Sequence, residues 1–256
     1  MLESLNKLRD FHVHATDGDI GEITDGYFDD ERWVLRYLVV RSGGWLSGRS
    51  VLVSPYAISG LDAQRRAVVT ALTRKQIQDS PSIDTAQPIS RQQEASYLGY
   101  YGYPVYWPYT TMWAWGALPV VTPPDPVLRE ELLAAERARS DPGVTADVHL
   151  HSAREVVGFH IQASDDAIGH VEDFLFEDRT WAIRYVVADT RNWLPGKRVL
   201  LSQHWIREVS WAERLVRVDL TRTGVERSPV YDAAHLPSRD YEERLYRHYQ
   251  RPGYWH

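Results

Sequence analysis

The sequence predicts a mainly β protein: two tandem small β-barrels with short helical extensions and a linker helix. Three observations carry this. First, the chain repeats itself: a shift of 148 positions aligns residues 11–107 with residues 159–255 without a gap, with about a third of the positions identical. Trp33 meets Trp181, Arg36-Tyr37 meets Arg184-Tyr185, and Leu72-Thr73-Arg74 meets Leu220-Thr221-Arg222. Solenoid repeats are roughly 20–50 residues long, so this is a duplicated domain. Second, short runs of β-branched and aromatic residues alternate with turn signals in each copy, the pattern of a sandwich or barrel. Third, each copy closes on a Ser-Arg pair with a glutamate, Glu94 or Glu242, just behind it, the start of a helix.

The elements follow in order. Residues 20–28 (IGEITDGYF) and 33–40 (WVLRYLVV), joined by a polar turn, form a hairpin. Residues 42–49 (SGGWLSGR) are a Gly-rich connection. Residues 51–53 are a short strand stopped by Pro55. Residues 57–62 and 67–72 make a second hairpin, and Thr73 caps a short helix over residues 74–78. The second copy repeats each step. These readings divide the chain into a first unit with an aromatic helical tail (1–107), a linker (108–149) and a second unit (150–256). The linker is stiff and Pro-rich at first, through Pro119, Pro123, Pro124 and Pro126, and then helical over residues 127–139.

Composition excludes several function classes. The chain has no cysteine, so it has no disulfide framework, thiolate nucleophile or Cys-ligated metal. This fits a cytoplasmic location, as does the absence of a basic-then-apolar leader in the first seven residues. A net charge of −6 argues against general attraction to nucleic acid. Ten Trp and fifteen Tyr stand out. Residues 97–124 carry no charge, but Gly99, Gly102, Pro104, Pro108, Gly116 and Pro119 break any spanning helix there. Burial against the barrels, or an aromatic contact surface, is the expectation.

Several motifs occur in order and twice. The first copy holds Ala15, Asp17, Gly18, Ile20, Gly21 and Ile23, then FDD ahead of Trp33, RYLVV (36–40) and GRSVLVSP (48–55). The second holds Ala163, Asp165, Ile168-Gly169, FEDRTW (176–181), RYVV (184–187) and GKRVLLS (196–202). This pattern resembles the PRC-barrel domain, the module of the cytoplasmic part of photosynthetic reaction-centre H subunits and of a ribosome-maturation factor. The resemblance covers both halves. It implies a small barrel that stabilises a complex rather than one that does redox chemistry. The chain departs from the H subunit in lacking a spanning segment before the first barrel, and from the maturation factor in lacking its partner domain. Neither function transfers directly.

The residues offer few chemical constellations. Two His-x-His pairs, His12/His14 and His149/His151, suit a metal if they lie on strands, but are expected as exposed polar residues because His14 aligns with Gln162. The carboxylates Asp29, Asp30, Glu31, Glu177 and Asp178 lack calcium-loop spacing and read as solvated turns. Asp17 and Asp165 are expected to set turns locally. The corners at Gly48-Arg49 and Gly196-Lys197-Arg198 read as turns with basic residues in water, or as an anion nest. Arg36 and Arg184 are expected to pair with Asp25 and Asp173 or to point outward. Trp33 and Trp181 are expected in the core. No nucleophile elbow or spaced acid pair is present.

These readings predict a non-catalytic interaction or assembly module, not an enzyme, with no cofactor and no metal. The partner is a protein or a second copy of the chain, a homodimer, with peripheral membrane contact allowed and nucleic acid disfavoured. The candidate interface residues are Trp45, Leu46, Trp193 and Leu194 in loops, and Tyr103, Tyr106, Trp107, Tyr254 and Trp255 in the tails. Two alternatives remain open, a ribosome- or RNA-related binding module and a small-molecule-binding barrel.

Overall fold

The computed structural model describes residues 1–81, 89–106, 118–119, 148–190 and 197–255. The chain opens with β1 (Leu2–Ser4) and one turn of helix, α1 (Leu5–Leu8). A first sheet follows from β2 (His12–Ala15), β3 (Gly18–Asp29), β4 (Val34–Ser42), β5 (Ser50–Val53), β6 (Ile58–Asp62) and β7 (Ala67–Thr70), in the spatial order β5-β4-β3-β2-β7-β6. Short α2 (Arg74–Gln78), β8 (Ile89–Ser90) and α3 (Arg91–Tyr101) complete the first repeat.

The second repeat supplies β9 (Val148–Ser152), α4 (Ala153–Val156), β10 (His160–Gln162), β11 (Ala167–Glu177), β12 (Ile183–Asp189), β13 (Arg198–Ser202), β14 (Ile206–Ser210) and β15 (Leu215–Val218). It ends with α5 (Arg222–Glu226) and α6 (Arg239–His248). The second sheet has the order β13-β12-β11-β10-β15-β14, the first sheet's order carried forward by one repeat. In both sheets the junction of the two halves is parallel, β2 on β7 and β10 on β15. The fold is therefore mainly β, with two sheets of matching topology.

The sequence accounts for the long hairpins. Val34, Leu35, Tyr37, Leu38, Val39 and Val40 of β4 are all buried, as a near-continuous apolar run requires. Gly21 has φ +149°, and a Cβ there would lie 2.0 Å from the Arg41 carbonyl oxygen. Gly169 stands in the same relation to the Asp189 oxygen, also at 2.0 Å. Only glycine lets these strands approach so closely. Trp33 and Trp181 adopt left-handed backbone, φ 58° and 62°, with their indoles buried, as the core assignment anticipates.

The described strands form open sheets, and no closed barrel is found among them. Paired bulges bend the long hairpins, at Ile23/Asp25 and Tyr27/Phe28 and again at Val171/Asp173 and Leu175/Phe176. The outer strand of each sheet is met by groups from beyond it instead of by the far strand. The Tyr97 hydroxyl donates to the Leu52 carbonyl at 2.6 Å, and the Tyr231 amide donates to the Arg198 carbonyl at 2.8 Å.

The first strand of each repeat joins the sheet of the other. β1 pairs antiparallel with β11, Leu2 opposite Glu177 and Ser4 opposite Leu175. β9 pairs with β3, Leu150 opposite Asp29 and Ser152 opposite Tyr27. One compact unit accordingly comprises Lys7–Ala153 with Asp178–Ala182, and the other Met1–Asn6, Arg154–Glu177 and Ile183–His256. They are called the first and second unit below. Asp25 and Asp173 serve this exchange, while Arg36 and Arg184 pair with Asp29 and Glu177. Ser152 Oγ donates to Asp25 Oδ2 at 2.5 Å, and Ser4 Oγ donates to Asp173 Oδ2 at 2.6 Å.

Asp17 and Asp165 also act at longer range than a local turn. Each accepts the first backbone amide of a short helix, Arg74 N at 2.8 Å and Arg222 N at 2.7 Å. Thr73 caps the first of these helices, with Gln76 returning the bond as a capping box. The predicted helix at 127–139 and the Pro-rich stretch before it lie outside the described residues. Among the described residues no helix is long and apolar enough to cross a membrane.

Candidate functional site

The most unusual chemistry of the first unit lies under α3. Ser90 caps this helix and Gln93 closes the capping box, while Gly102, at φ +71°, ends it. That phase turns Glu94, Tyr97, Leu98 and Tyr101 to one side, at helical i, i+3, i+4 and i+7 spacing. Glu94 is fully buried, at 0 % exposure. Its Oε1 accepts the Tyr37 hydroxyl at 2.8 Å, and its Oε2 accepts the Tyr106 hydroxyl at 2.8 Å. His149 Nε2 lies 3.0 Å from the same Oε2 and 3.1 Å from the Tyr106 oxygen. Because Tyr106 already donates to that oxygen, the contact is attractive only with a proton on Nε2.

An ion pair adjoins this carboxylate. Arg36, buried on β4, donates to Asp29 Oδ2 at 3.0 Å, and its guanidinium lies 3.8 Å from the Tyr106 ring centroid. Asp29 Oδ1 meanwhile accepts the Glu31 and Arg32 amides at 3.1 and 3.0 Å. Asp29 therefore caps its turn from inside the protein and is not solvated. Asp29 reaches Arg36 because the bulge at Tyr27/Phe28 resets the register ahead of it.

Burial, followed by the charge of Glu94, pushes the Tyr37 and Tyr106 hydroxyls well above the usual tyrosine range, so both remain neutral donors. Burial pushes the His149 imidazole down, but its hydrogen bond to Glu94 and the Glu94 charge more than reverse this, and the net direction is up. His151, two residues on, is driven down to about 4 by burial and by His149. Burial there outweighs the Asp30 carboxylate, 3.4 Å from its Nε2.

The second unit repeats the frame with different occupants. Tyr185 and Tyr254 both donate to Glu242 Oε1 at 2.8 Å, and Arg239 sits 3.2 Å from Oε2. Arg184 pairs with Glu177 at 2.5 Å and lies 4.5 Å from the Tyr254 centroid. Met1 stands at the sequence position equivalent to His149, and Glu3 at that of His151.

The structure separates the two His-x-His pairs. His12 and His14 have side chains 50 % and 45 % exposed beside Asp19. His149 and His151 are buried, contrary to the expectation of exposed polar residues, because β9 is an inserted strand and not a free leader into the second repeat. Among the described residues no group of three or more His, Asp or Glu is arranged to hold a metal ion. The basic corners are used internally and do not simply face water. Lys197 is buried and donates to the Val225 and Glu226 carbonyls at the end of α5, and Arg49 donates to the Ser80 carbonyl at 3.4 Å.

The predicted interface residues are placed as follows. Trp45 is half-buried on a short 3₁₀ turn, Gly44–Leu46, with its indole Nε1 donating to the Ile20 carbonyl at 2.8 Å. The Arg74 guanidinium lies 5.0 Å from its ring centroid, and Leu46 beside it is half-buried. Tyr103 is half-buried and stacks on Tyr101 at 5.4 Å. Tyr106 is buried, its hydroxyl committed to Glu94. Tyr254 and Trp255 are half-buried, with Arg239 4.2 Å from the Trp255 centroid. Trp107, Trp193 and Leu194 lie outside the described residues. The aromatic run beginning at Tyr97 thus turns inward as far as Tyr106, except for the exposed Tyr100 and the half-buried Tyr101 and Tyr103.

Sequence reasoning missed the carboxylate site, reading Glu94 only as a helix-start residue. The repeat held the signal: Tyr37/Tyr185, Glu94/Glu242 and Tyr106/Tyr254 are identical in both copies. No curated protein matches the chain. Residues 2–77, which supply β1 through most of α2, match the family model of the PRC-barrel domain, and the chain therefore contains a PRC-barrel domain there.

Proposed function

We propose that this protein is a non-catalytic interaction or assembly module, and that its second sheet is a second PRC-barrel in tandem with the first. The matching strand order of the two sheets and the 148-residue repeat support the tandem reading. One observation carries the interaction reading: Trp45 is presented half-exposed yet fixed, its indole held by the Ile20 carbonyl and flanked by Arg74 and Leu46. A pre-ordered tryptophan beside an arginine loses little freedom on docking, and both residue types are enriched where binding energy concentrates. The partner is a protein that covers this loop. The resemblance to a barrel that stabilises a complex favours the same reading.

The test is native co-purification from the source cell, soluble and membrane fractions kept apart, with the wild type beside Trp45→Ala and Leu46→Ala. The expected result is a stoichiometric protein partner that both variants lose while their thermal unfolding stays unchanged. Recovery of the protein alone, or a partner that both variants retain, overturns the assignment of this surface.

A further inference from the structure

We infer that His149 is a buried proton-binding site that latches β9 onto the first unit, closing when the imidazole takes its second proton and loosening when that proton leaves. This goes beyond the interaction reading and does not depend on it. The geometry supplies the argument. His149 is 2 % exposed and sits on a strand of five residues, Val148–Ser152, that follows the long connection between the repeats.

Among the described residues, the titratable and charged groups around His149 come from every element packed on it. They are Glu94 and Arg91 from α3, Asp29 and Asp30 from β3, Arg36 and Tyr37 from β4, Tyr106 from the segment after α3, and His151 on its own strand. The buried core of this set, Asp29, Arg36 and Glu94, carries two negative charges and one positive. With a neutral His149 it has an excess negative charge, and with an imidazolium it balances, the arrangement a poorly solvated site favours. Arg91, 3.6 Å from Glu31, is partly neutralised by that carboxylate.

The sign follows. A histidine raised above its ordinary value contributes stability that is complete below that value and lost as pH rises through the raised one. Over that same rise His151 stays neutral, held down at about 4, so the slope belongs to His149. The second unit supplies an internal control. β1 makes the equivalent pairing with β11, but Met1 stands where His149 would.

The experiment combines two measurements on the full-length protein. Imidazole resonances are followed by NMR against pH, with His149 assigned by the signal missing in His149→Gln. Amide hydrogen exchange, corrected for its intrinsic pH dependence, is followed over residues 148–152 and 2–4. The expected result is a His149 midpoint above the ordinary ~6.5. Protection of residues 148–152 should fall about tenfold or more as pH rises through that midpoint, while residues 2–4 stay level. Glu94→Gln should lower the midpoint. If His149→Gln does not fold, assignment by through-bond correlation in the wild type leaves the test intact. A His149 midpoint at or below 6.5, or protection that is level through it, overturns the inference. So does a parallel fall in residues 2–4.

Discussion

Glu94 and Glu242 occupy the same place in two copies of one fold, and their surroundings show what duplication preserves and what it releases. Both accept two tyrosine hydroxyls at 2.8 Å, so the tyrosine–glutamate tie between tail and sheet is the retained core. The third partner differs. Glu94 has a buried histidine from an exchanged strand, whereas Glu242 has Arg239 from its own helix, 49 % exposed. The neighbouring ion pair diverges likewise: Arg36–Asp29 is sealed, while Arg184–Glu177 is reached by water. The Arg36–Asp29 pair therefore acts at low dielectric, whereas the Arg184–Glu177 pair and Arg239 are partly screened by water.

The largest expected difference comes from cutting the carboxylates themselves. Glu94→Ala leaves two buried hydroxyls and an imidazole without their acceptor and should destabilise the first unit by about 3–5 kcal/mol. Glu242→Ala should cost about 1–3 kcal/mol, because water reaches Tyr254 and Arg239. Urea denaturation of the two variants side by side checks the ranking, and equal losses would break the comparison. Arg36→Met strands Asp29 as an unpaired buried charge and should cost about 3–5 kcal/mol, whereas Arg184→Met should stay within about 1 kcal/mol. The same denaturation series reads both.

Acidification should separate the units next. His151 is held neutral in the fold with its value pushed down to about 4. The unfolded chain therefore binds more protons than the folded one between ~6.5 and 4, and stability falls as pH drops through that window. His151→Gln should flatten this slope in the urea midpoint of the first unit, and an unchanged slope would assign the acid sensitivity elsewhere. The smallest effect concerns the helix caps. Thr73 shares a reciprocal capping box with Gln76, but Thr221 faces Gly224 and receives a single bond. Thr73→Ala should cost about 1 kcal/mol and Thr221→Ala about 0.5 kcal/mol, read as shifts in thermal midpoint.

Much of the fold was legible because its determinants are local. The β-branched run at 33–40, the Pro55 stop, the Thr73 cap and the Ser90 and Ser238 helix starts each act within a few residues, and each appears where the pattern puts it. The buried site was only half legible. Tyr37, Glu94 and Tyr106 repeat at Tyr185, Glu242 and Tyr254, but nothing in their spacing shows that 57 and 12 residues of separation close to hydrogen-bond distance. Arg36, expected to pair with Asp25 or to point outward, is buried on Asp29, because a bulge invisible in the alternation resets the register there.

By itself, then, the sequence determined the duplication, the hairpins and capped helices of each copy, and the burial of Trp33 and Trp181. All of these are encoded by nearest neighbours and by the self-match at a shift of 148 residues. Only the tertiary structure decided that β1 and β9 change places. Both strands pair in the same register at equivalent positions, so local preference cannot distinguish a strand that returns to its own sheet from one that crosses to the other. That one choice carries His149 to Glu94, and with it the buried charge that sets the first unit apart from the second.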